Sequence, residues 1–412
     1  MGDIDPTEQL ALDNGWGDVE DDEEPVAPSD IVSAVVTDTD WTTETMLSQL
    51  RRGNIKLNPR FQRRDAWDRT RKSRFIESLI LGLPIPQLVL AEDKRRRGAF
   101  VVLDGKQRLL ALRQFAEGSQ FGGEPDASGE FRQLRLSGLD VREDLKGKTL
   151  QKLDSDAAHI DDLNAFLNQT IRTVVVRSWP NEAFLNLVFL RLNTGSVKLS
   201  PQELRQALHP GDFTDFIDDH TADSNEMQRA LRITRPDFRM RDVELLLRYY
   251  SFRLYLAEYR GSLKQFLDTT TARLNKGWFA NETRIRDIAS EFDDSISAAF
   301  DIFGDNAYFR WQTDHFERRF NRAVFDVVMY YFSDAEIRQE ARDNADDVLL
   351  AFKQLCDTNP DFVRAVQSTT KTIGATYLRL HAWGVALSEA LGREIRVPTL
   401  AENRIDPGTS VS

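Results

Sequence analysis

Apolar residues in the first half of the chain follow two periodicities. Short runs rich in Val, Leu and Phe favour buried β-strands at Gln87–Leu90, Phe100–Leu103 and Ile171–Val176. Residues 70–81, and the residues that follow Asp104, instead carry apolar side chains at the spacing of one helix face. The pattern predicts an α/β domain in which short strands accompany amphipathic helices.

Upstream of these elements, the pattern predicts a helix, a short strand and a loop. The helix begins at Asp40 and ends at Gly53, since glycine is a common residue at helix C-termini. Ile55–Leu57 is typical of a short strand. Pro59 removes a backbone donor and biases the preceding residue away from helix, so residues 58–67 are expected to be loop.

The second half of the chain has helical apolar spacing almost throughout. Ser200, Pro201 and Glu203 form a capping-box sequence that predicts a helix start, and helices are expected beyond Pro210. The sequence is therefore assigned to the α+β class. The predicted parts are an acidic disordered tail over residues 1–38, an α/β domain over residues 39–180, a helical domain over residues 181–396 and a loose tail over residues 397–412.

The net charge of −12 is unevenly distributed along the chain. Residues 1–50 contain fourteen acidic residues and no Lys or Arg, whereas residues 51–113 contain seventeen basic and six acidic residues. Positive charge clustered in this way is typical of an anion-binding module. The basic run at residues 94–97 is either a solvated hairpin tip or a nucleic-acid contact.

Composition excludes several classes of protein. The single cysteine, Cys356, rules out an internal disulfide and a zinc site built from cysteines. The five histidines lack the short spacings of histidine metal sites. No apolar run approaches the roughly 20 residues of a membrane span, and the first residues lack the basic and apolar regions of a signal peptide. We therefore expect a cytoplasmic protein without a membrane partner.

A cluster of polar residues follows the predicted strand that ends in Leu103. Asp104 and Gly105 form a tight turn, and the next helix carries Lys106, Gln107 and Arg108 in its first turn. The N-terminus of a helix has unpaired N–H groups and a partial positive charge, which suit phosphate. An ordinary capped turn with solvated charges is the alternative. The glycine spacing and the Gln at the Ser/Thr position exclude a Walker A loop.

The order of motifs around this turn resembles a known family. Asn58–Arg63, with the letters NPRFQR, precedes Trp67, a helix, a loop at Pro84–Pro86, two strands and the DGKQR motif at Asp104–Arg108. This order resembles the DUF262 family, the N-terminal module of GmrSD-type restriction proteins, which is itself similar to the ParB/sulfiredoxin fold. Residues 188–208 are similar to the same family. The usual family motif is DGQQR, so this chain departs from it at one position.

The resemblance implies a ParB/sulfiredoxin-like α/β domain followed by an all-helical C-terminal domain. It also implies that the protein binds a nucleoside triphosphate with Mg²⁺ and hydrolyses it, in DNA restriction or anti-phage defence. DNA is the expected partner, and a separately encoded nuclease and self-association remain open. The implied cofactor-binding residues are Gln62, Arg63, Asp104, Gly105, Lys106, Gln107 and Arg108.

Each of these residues has an implied role. Arg108 would hold phosphate with its guanidinium fork, Gly105 would allow close backbone approach, and Lys106 would add charge. Gln107 would orient phosphate or water. Asp104 would hold Mg²⁺ or fix Arg108, which makes Asp104, Gln107 and Arg108 the implied catalytic residues. Gln62 and Arg63 would close the site from the opposite loop.

Two other functions stay open. The first is a non-catalytic switch in which nucleotide binding gates the binding of DNA or a partner. The second is a metal-dependent nuclease, because Asp93, Asp104 and Lys106 imitate the carboxylates and lysine of restriction-type endonucleases. Related proteins often add an HNH-type nuclease domain, but here only the sequence Asp314-His315 with Asn321 distantly resembles its motif.

Overall fold

The computed structural model describes residues 34–55, 57, 64–122, 132–192, 200–367 and 371–408. Gln62 and Arg63, and the predicted turn at residues 193–195, lie outside these ranges. The described residues form two compact units, an N-terminal unit that ends at Leu208 and a C-terminal unit that begins at His209.

The N-terminal unit contains four described strands and seven described α-helices. In chain order they are β1 (Val35–Thr42), α1 (Thr43–Arg51), α2 (Arg69–Ile80), β2 (Leu88–Glu92), β3 (Phe100–Asp104), α3 (Lys106–Ala116), α4 (Leu150–Ser155), α5 (Ile160–Asn168), β4 (Thr170–Arg177), α6 (Glu182–Leu192) and α7 (Pro201–Leu208). The helices and strands predicted at residues 70–81, 87–90, 100–103 and 171–176 are confirmed within one or two residues.

The four strands form one mixed sheet in the order β1, β4, β2, β3. β1 runs antiparallel to β4, β4 runs parallel to β2, and β2 runs antiparallel to β3. In the β2–β3 pair, Val89 lies opposite Asp104, and Glu92 lies opposite Phe100. This register decides which side chains can meet at each end of the sheet.

Both faces of the sheet are covered by apolar side chains. Leu88 and Leu90 of β2 belong to a core formed with α1, α2, α3 and α5. Val89 and Ala91 alternate to the other face, where they pack with residues of α6 and α7 such as Phe189. The two helices after residue 181 therefore belong to the sheet unit, whereas the sequence analysis had assigned them to the helical domain.

β1 is the main element that the apolar pattern did not predict. Residues 35–42 pair with β4 along their whole length, although residues 1–38 were expected to be disordered and a helix was expected from Asp40. Polar residues dominate this edge strand, and Val35 and Val36 are exposed, so no apolar periodicity marks it. In the expected strand at residues 55–57, Ile55 forms a bridge with Phe100, and Lys56 lies outside the described residues.

The C-terminal unit is mainly helical, but it is not all-helical as expected. Its α-helices are α8 (Asp212–Asp223), α9 (Asn225–Leu231), α10 (Arg241–Tyr255), α11 (Leu263–Phe303), α12 (Arg322–Phe332), α13 (Ala335–Asp343), α14 (Ala345–Thr358), α15 (Pro360–Gln367) and α16 (Ile373–Leu391). Two antiparallel hairpins accompany them, β5 (Phe309–Gln312) with β6 (His315–Phe320), and β7 (Thr399–Ala401) with β8 (Arg404–Asp406). In the described ranges, no helix combines the length and apolar character needed to cross a membrane.

The β7–β8 hairpin occupies a region that was expected to be loose. Glu402 and Asn403 both have positive φ angles of 47° and 61°, which is the backbone of a two-residue hairpin turn. Ile405 is 1% exposed and fixes the hairpin to the unit. A Glu-Asn turn is a weak sequence signal compared with Asn-Gly, which explains why this hairpin was not predicted.

Candidate functional site

The turn between β3 and α3 requires glycine at position 105. Gly105 has a φ angle of 99°, which side chains rarely adopt, and a Cβ atom here would lie 2.1 Å from Cδ2 of Leu88. Gly105 is also the N-cap residue of α3, and no side chain caps this helix end. The predicted glycine turn before a helix start is confirmed.

Arg108 folds back onto the residues that precede its own helix. Its NH1 atom donates to the carbonyl oxygens of Pro86 (2.6 Å) and Gln87 (3.1 Å), and its NH2 atom donates to Oδ2 of Asp104 (2.7 Å). The Arg108 side chain is 8% exposed, while that of Asp104 is 23% exposed. Arg108 thus connects α3 to the segment at Pro86–Gln87 and to Asp104 at the end of β3. The expected proximity of Asp104 to Arg108 is present.

Lys106 lies against α7 rather than in solvent. Its Nζ atom donates to Oε1 of Glu203 at 2.6 Å, and both side chains are 6% exposed. The other carboxylate oxygen of Glu203 accepts from the backbone N–H of Ser200 at 2.8 Å, and Ser200 Oγ accepts from the Glu203 N–H at 3.1 Å. This reciprocal pair confirms the predicted capping box. One carboxylate therefore links the starts of α3 and α7.

Gln107 connects α3 to the segment that follows the NPRFQR motif. With its amide oriented to satisfy both groups, its nitrogen donates to Oδ1 of Asp65 (2.6 Å) and its oxygen accepts from the N–H of Ala66 (3.3 Å). Oδ2 of Asp65 accepts from Lys72 Nζ, which also donates to Gln114 (2.8 Å). Burial lowers the pKa of Lys72 from 10.5 to about 8.

The described part of this opposing loop is anchored to the core. The Trp67 ring packs edge-to-face against Phe75 at 5.8 Å between centroids, and Arg71 lies over the Trp67 ring. Trp67 is therefore a packing residue. Asp65 was not singled out from the sequence, yet it places this loop at the first turn of α3.

The register of the sheet separates the two carboxylates of the nuclease alternative. The backbone N–H of Asp93 donates to Ala99 at the turn end of the β2–β3 hairpin, whereas Asp104 lies opposite Val89 at the other end. Ala99 and Asp104 are five positions apart along the chain, a span of roughly 16 Å in an extended strand. Asp93 and Asp104 therefore cannot share one metal ion, and the nuclease site built on Asp93, Asp104 and Lys106 is wrong.

Residues of the basic run at 94–97 attach the tip of the β2–β3 hairpin to neighbouring parts of the unit. Lys94 Nζ donates to the carbonyl of Pro180 (2.8 Å) and lies 3.9 Å from the centre of the Trp179 ring. Arg96 donates to the carbonyl of Gly53 and to Asn54. These contacts favour the interpretation of the run as a hairpin tip.

Glu77, a buried carboxylate of α2, has a structural role. Oε1 and Oε2 of Glu77 accept from the backbone N–H groups of Asp140, Val141 and Arg142, so the carboxylate holds a loop. Burial alone would raise the pKa of Glu77, but these N–H groups and the charge of Arg74 lower it below its ordinary value.

Asp144, His159 and Asp162 lie close enough to ligate a metal ion, but Arg142 already pairs with both carboxylates, and His159 is hydrogen-bonded to Asp162. Its guanidinium forks onto both carboxylates and lowers their pKa values through hydrogen bonds. This arrangement is a charge network rather than a metal centre.

The residues that distantly resemble an HNH motif have ordinary roles. Asn321 Oδ1 caps α12 by accepting from the N–H groups of Ala323 (2.9 Å) and Val324 (3.0 Å). Asp314 and His315 pair with each other on the exposed turn side of the β5–β6 hairpin. They give no support for a nuclease site.

The chain was compared with known proteins by three routes. Residues 43–210 match the family model described as the GmrSD restriction endonuclease N-terminal domain. Neither the curated proteins nor the solved structures gave a match. The matched segment covers α1 to α7. It therefore includes the β3–α3 turn and the two parts of the chain that contact it, the segment at Asp65–Ala66 and α7.

Proposed function

Since residues 43–210 match the family model of the GmrSD restriction endonuclease N-terminal domain, we propose that this protein binds a nucleoside triphosphate with Mg²⁺ at the start of α3 and hydrolyses it. The reaction would serve a DNA restriction or anti-phage defence system, in which DNA and a separately encoded nuclease are the proposed partners. The proposal includes a ParB/sulfiredoxin-like relationship for the sheet unit.

The observation that carries this proposal is the uncapped N-terminus of α3 behind Gly105. Gly105 turns the chain into α3 with a positive φ angle, and no side chain caps the helix end. Phosphate is the anion that such a helix start accommodates best, because N–H groups and the helix dipole act together. Arg108 and Lys106 add two cations within the same helix turn.

The proposed roles follow from the surroundings of each side chain. Asp104 is the more exposed member of its pair with Arg108, so its carboxylate is the proposed Mg²⁺ ligand. Arg108 would use its fork on phosphate, and Gln107 would orient phosphate or water. Gln62 and Arg63, which lie outside the described residues, would complete the proposed site, as the family resemblance implies.

A switch without catalysis is the second candidate function. Asp65, Asp104 and Glu203 each accept a hydrogen bond from a cation or an amide at the site. A carboxylate engaged in this way is poorly placed as a general base, because its oxygen already faces a protein donor and not an attacking water. Binding without turnover would follow.

The test is hydrolysis of ATP, GTP and CTP with Mg²⁺, with and without duplex DNA. Arg108→Ala is the diagnostic variant, and Arg113→Ala is its matched control. Both arginines lie on α3, and each pairs with a carboxylate four positions away in sequence. The proposed function predicts turnover by wild type and by Arg113→Ala, and at least about a hundredfold loss in Arg108→Ala. Binding without turnover would favour the switch, and no binding of any nucleotide would refute both.

A further inference from the structure

Lys106, which binds phosphate in the proposed function, is already paired with the carboxylate of Glu203. Lys106 Nζ and Glu203 Oε1 lie 2.6 Å apart, and both side chains are 6% exposed, so water screens this pair weakly. A phosphate group that approaches the start of α3 meets a lysine whose charge Glu203 already neutralises. Binding through Lys106 therefore requires the carboxylate to be replaced.

The helix that supplies Glu203 buries an unusual set of side chains. Gln202, Glu203, Arg205 and Gln206 of α7 are all at most 6% exposed. Long polar side chains are seldom buried unless they are paired or hydrogen-bonded. These positions and Leu204, which packs in the core on one face of the sheet, are consecutive, so buried residues lie on all sides of α7.

Gln202 supplies a second, independent observation. Its Oε1 atom accepts from Arg205 at 2.6 Å, but its Nε2 atom, which is also buried, donates to no group in the described part of the chain. A buried donor without an acceptor is costly, and an ordered water, an ion or a ligand commonly supplies the partner of such a group. This donor belongs to the residue next to Glu203.

We propose that Glu203 is the partner of Lys106 that phosphate displaces, and that α7 changes its surroundings when nucleotide binds. The inference rests on the proposed function. Lys106 exchanges the carboxylate for a phosphate oxygen, and Glu203, no longer held by Lys106, keeps only its capping bond to Ser200. Glu203 is a positioning residue, and α7 is the element that responds to the ligand.

Equilibrium affinity for Mg²⁺ with the β,γ-imido analogues of ATP and GTP tests the exchange. Glu203→Gln keeps the shape and an acceptor for Ser200 but removes the charge that competes for Lys106. We expect it to bind about tenfold or more tightly than wild type, since a charge-assisted bond no longer has to be broken. A residue that only stabilised the fold would leave affinity unchanged or weaken it.

Glu117→Gln is the matched control. Glu117 is also 6% exposed and also pairs with a cation of α3, Arg113, but it lies beyond the far end of that helix. We expect its affinity to equal that of wild type. Tighter binding in both variants would overturn the inference, because the effect would then not depend on Lys106.

Hydrogen exchange of wild-type protein keeps the inference testable even if Glu203→Gln does not fold. The inference predicts faster exchange of the amides of residues 201–208 when the nucleotide analogue is bound. Nucleotide binding without a change at α7, or with slower exchange there, would refute the inference and leave the proposed function standing. No binding by wild type would refute the proposed function, and the inference with it.

Discussion

Replacing Gly105 by alanine is expected to destabilise the N-terminal unit through two separate effects. The first is the φ angle of 99°, a region in which a side chain is strained. The second is steric, because the new Cβ atom would lie 2.1 Å from Cδ2 of Leu88, a residue that is 1% exposed. Leu88 cannot move aside without disturbing the core on its face of the sheet.

The two effects have different magnitudes. Backbone strain of this kind costs about 1–2 kcal/mol. Forcing an additional carbon into a packed core costs about 1–3 kcal/mol. We therefore expect Gly105→Ala to lower the free energy of unfolding by about 2–5 kcal/mol in total.

Urea unfolding of the full chain, followed by tryptophan fluorescence, measures this loss. Gly53→Ala is the matched control, because Gly53 also has a positive φ of 64° but a Cβ atom there would contact nothing within 4 Å. We expect the control to lose about 1 kcal/mol, the backbone cost alone. If the two variants lose the same free energy, the close approach of Gly105 to Leu88 is not what restricts this turn.

Three further predictions concern charged groups. Because the folded-state pKa of Lys72 is about 8 and its ordinary value is 10.5, the unfolded chain binds more protons between these values. Wild type should therefore gain stability relative to Lys72→Met as pH rises from 8 to 10 in urea unfolding, and a constant difference would contradict this. The lowered pKa of Glu77 means that its contribution is present above the ordinary value of 4.5 and is lost as pH falls through the folded-state value. Wild type should then lose more stability than Glu77→Gln between pH 5 and pH 3, and parallel acid unfolding curves would exclude the predicted role. Asp326 accepts from Arg248 at 2.9 Å and lies 3.4 Å from Arg379, all at most 5% exposed, so Asp326→Asn should cost about 3–5 kcal/mol by removing the carboxylate charge that these two buried arginines share. Asp361→Asn, which alters an exposed pair with Arg364, should cost less than about 1 kcal/mol, and equal losses in the two variants would show that the buried network is not needed.

The sequence predicted those elements whose apolar residues alone determine their structure. The helix at residues 69–80 and strands β2 to β4 have one apolar periodicity each, and their caps or turns are explicit in the sequence. The capping box at Ser200 and Glu203 was predicted because both of its bonds are local. β1 was not predicted, because an exposed edge strand is stabilised by pairing with β4 and not by its own apolar pattern.

Only the part of the candidate site that consists of neighbouring residues in the sequence was predicted. Residues 104–108 are contiguous, so their meeting at one turn follows from a strand, a glycine and a helix. The contact between Lys106 and Glu203 joins residues 97 positions apart, and no periodicity contains this information. The error over Asp93 has the same origin, because two strands next to each other in sequence were expected to end together, while an antiparallel pair places these residues at opposite ends.

Hydrogen exchange at the start of α3 tests the central claim most directly. The full chain is labelled with and without Mg²⁺ and saturating imido analogues of ATP or GTP, and the segment at residues 104–110 is followed. Phosphate held by the first N–H groups of the helix should slow exchange there, and Arg108→Ala should abolish the protection while Arg113→Ala retains it. Nucleotide that binds without protecting this segment, or protection that persists in Arg108→Ala, would contradict a phosphate site at the DGKQR turn.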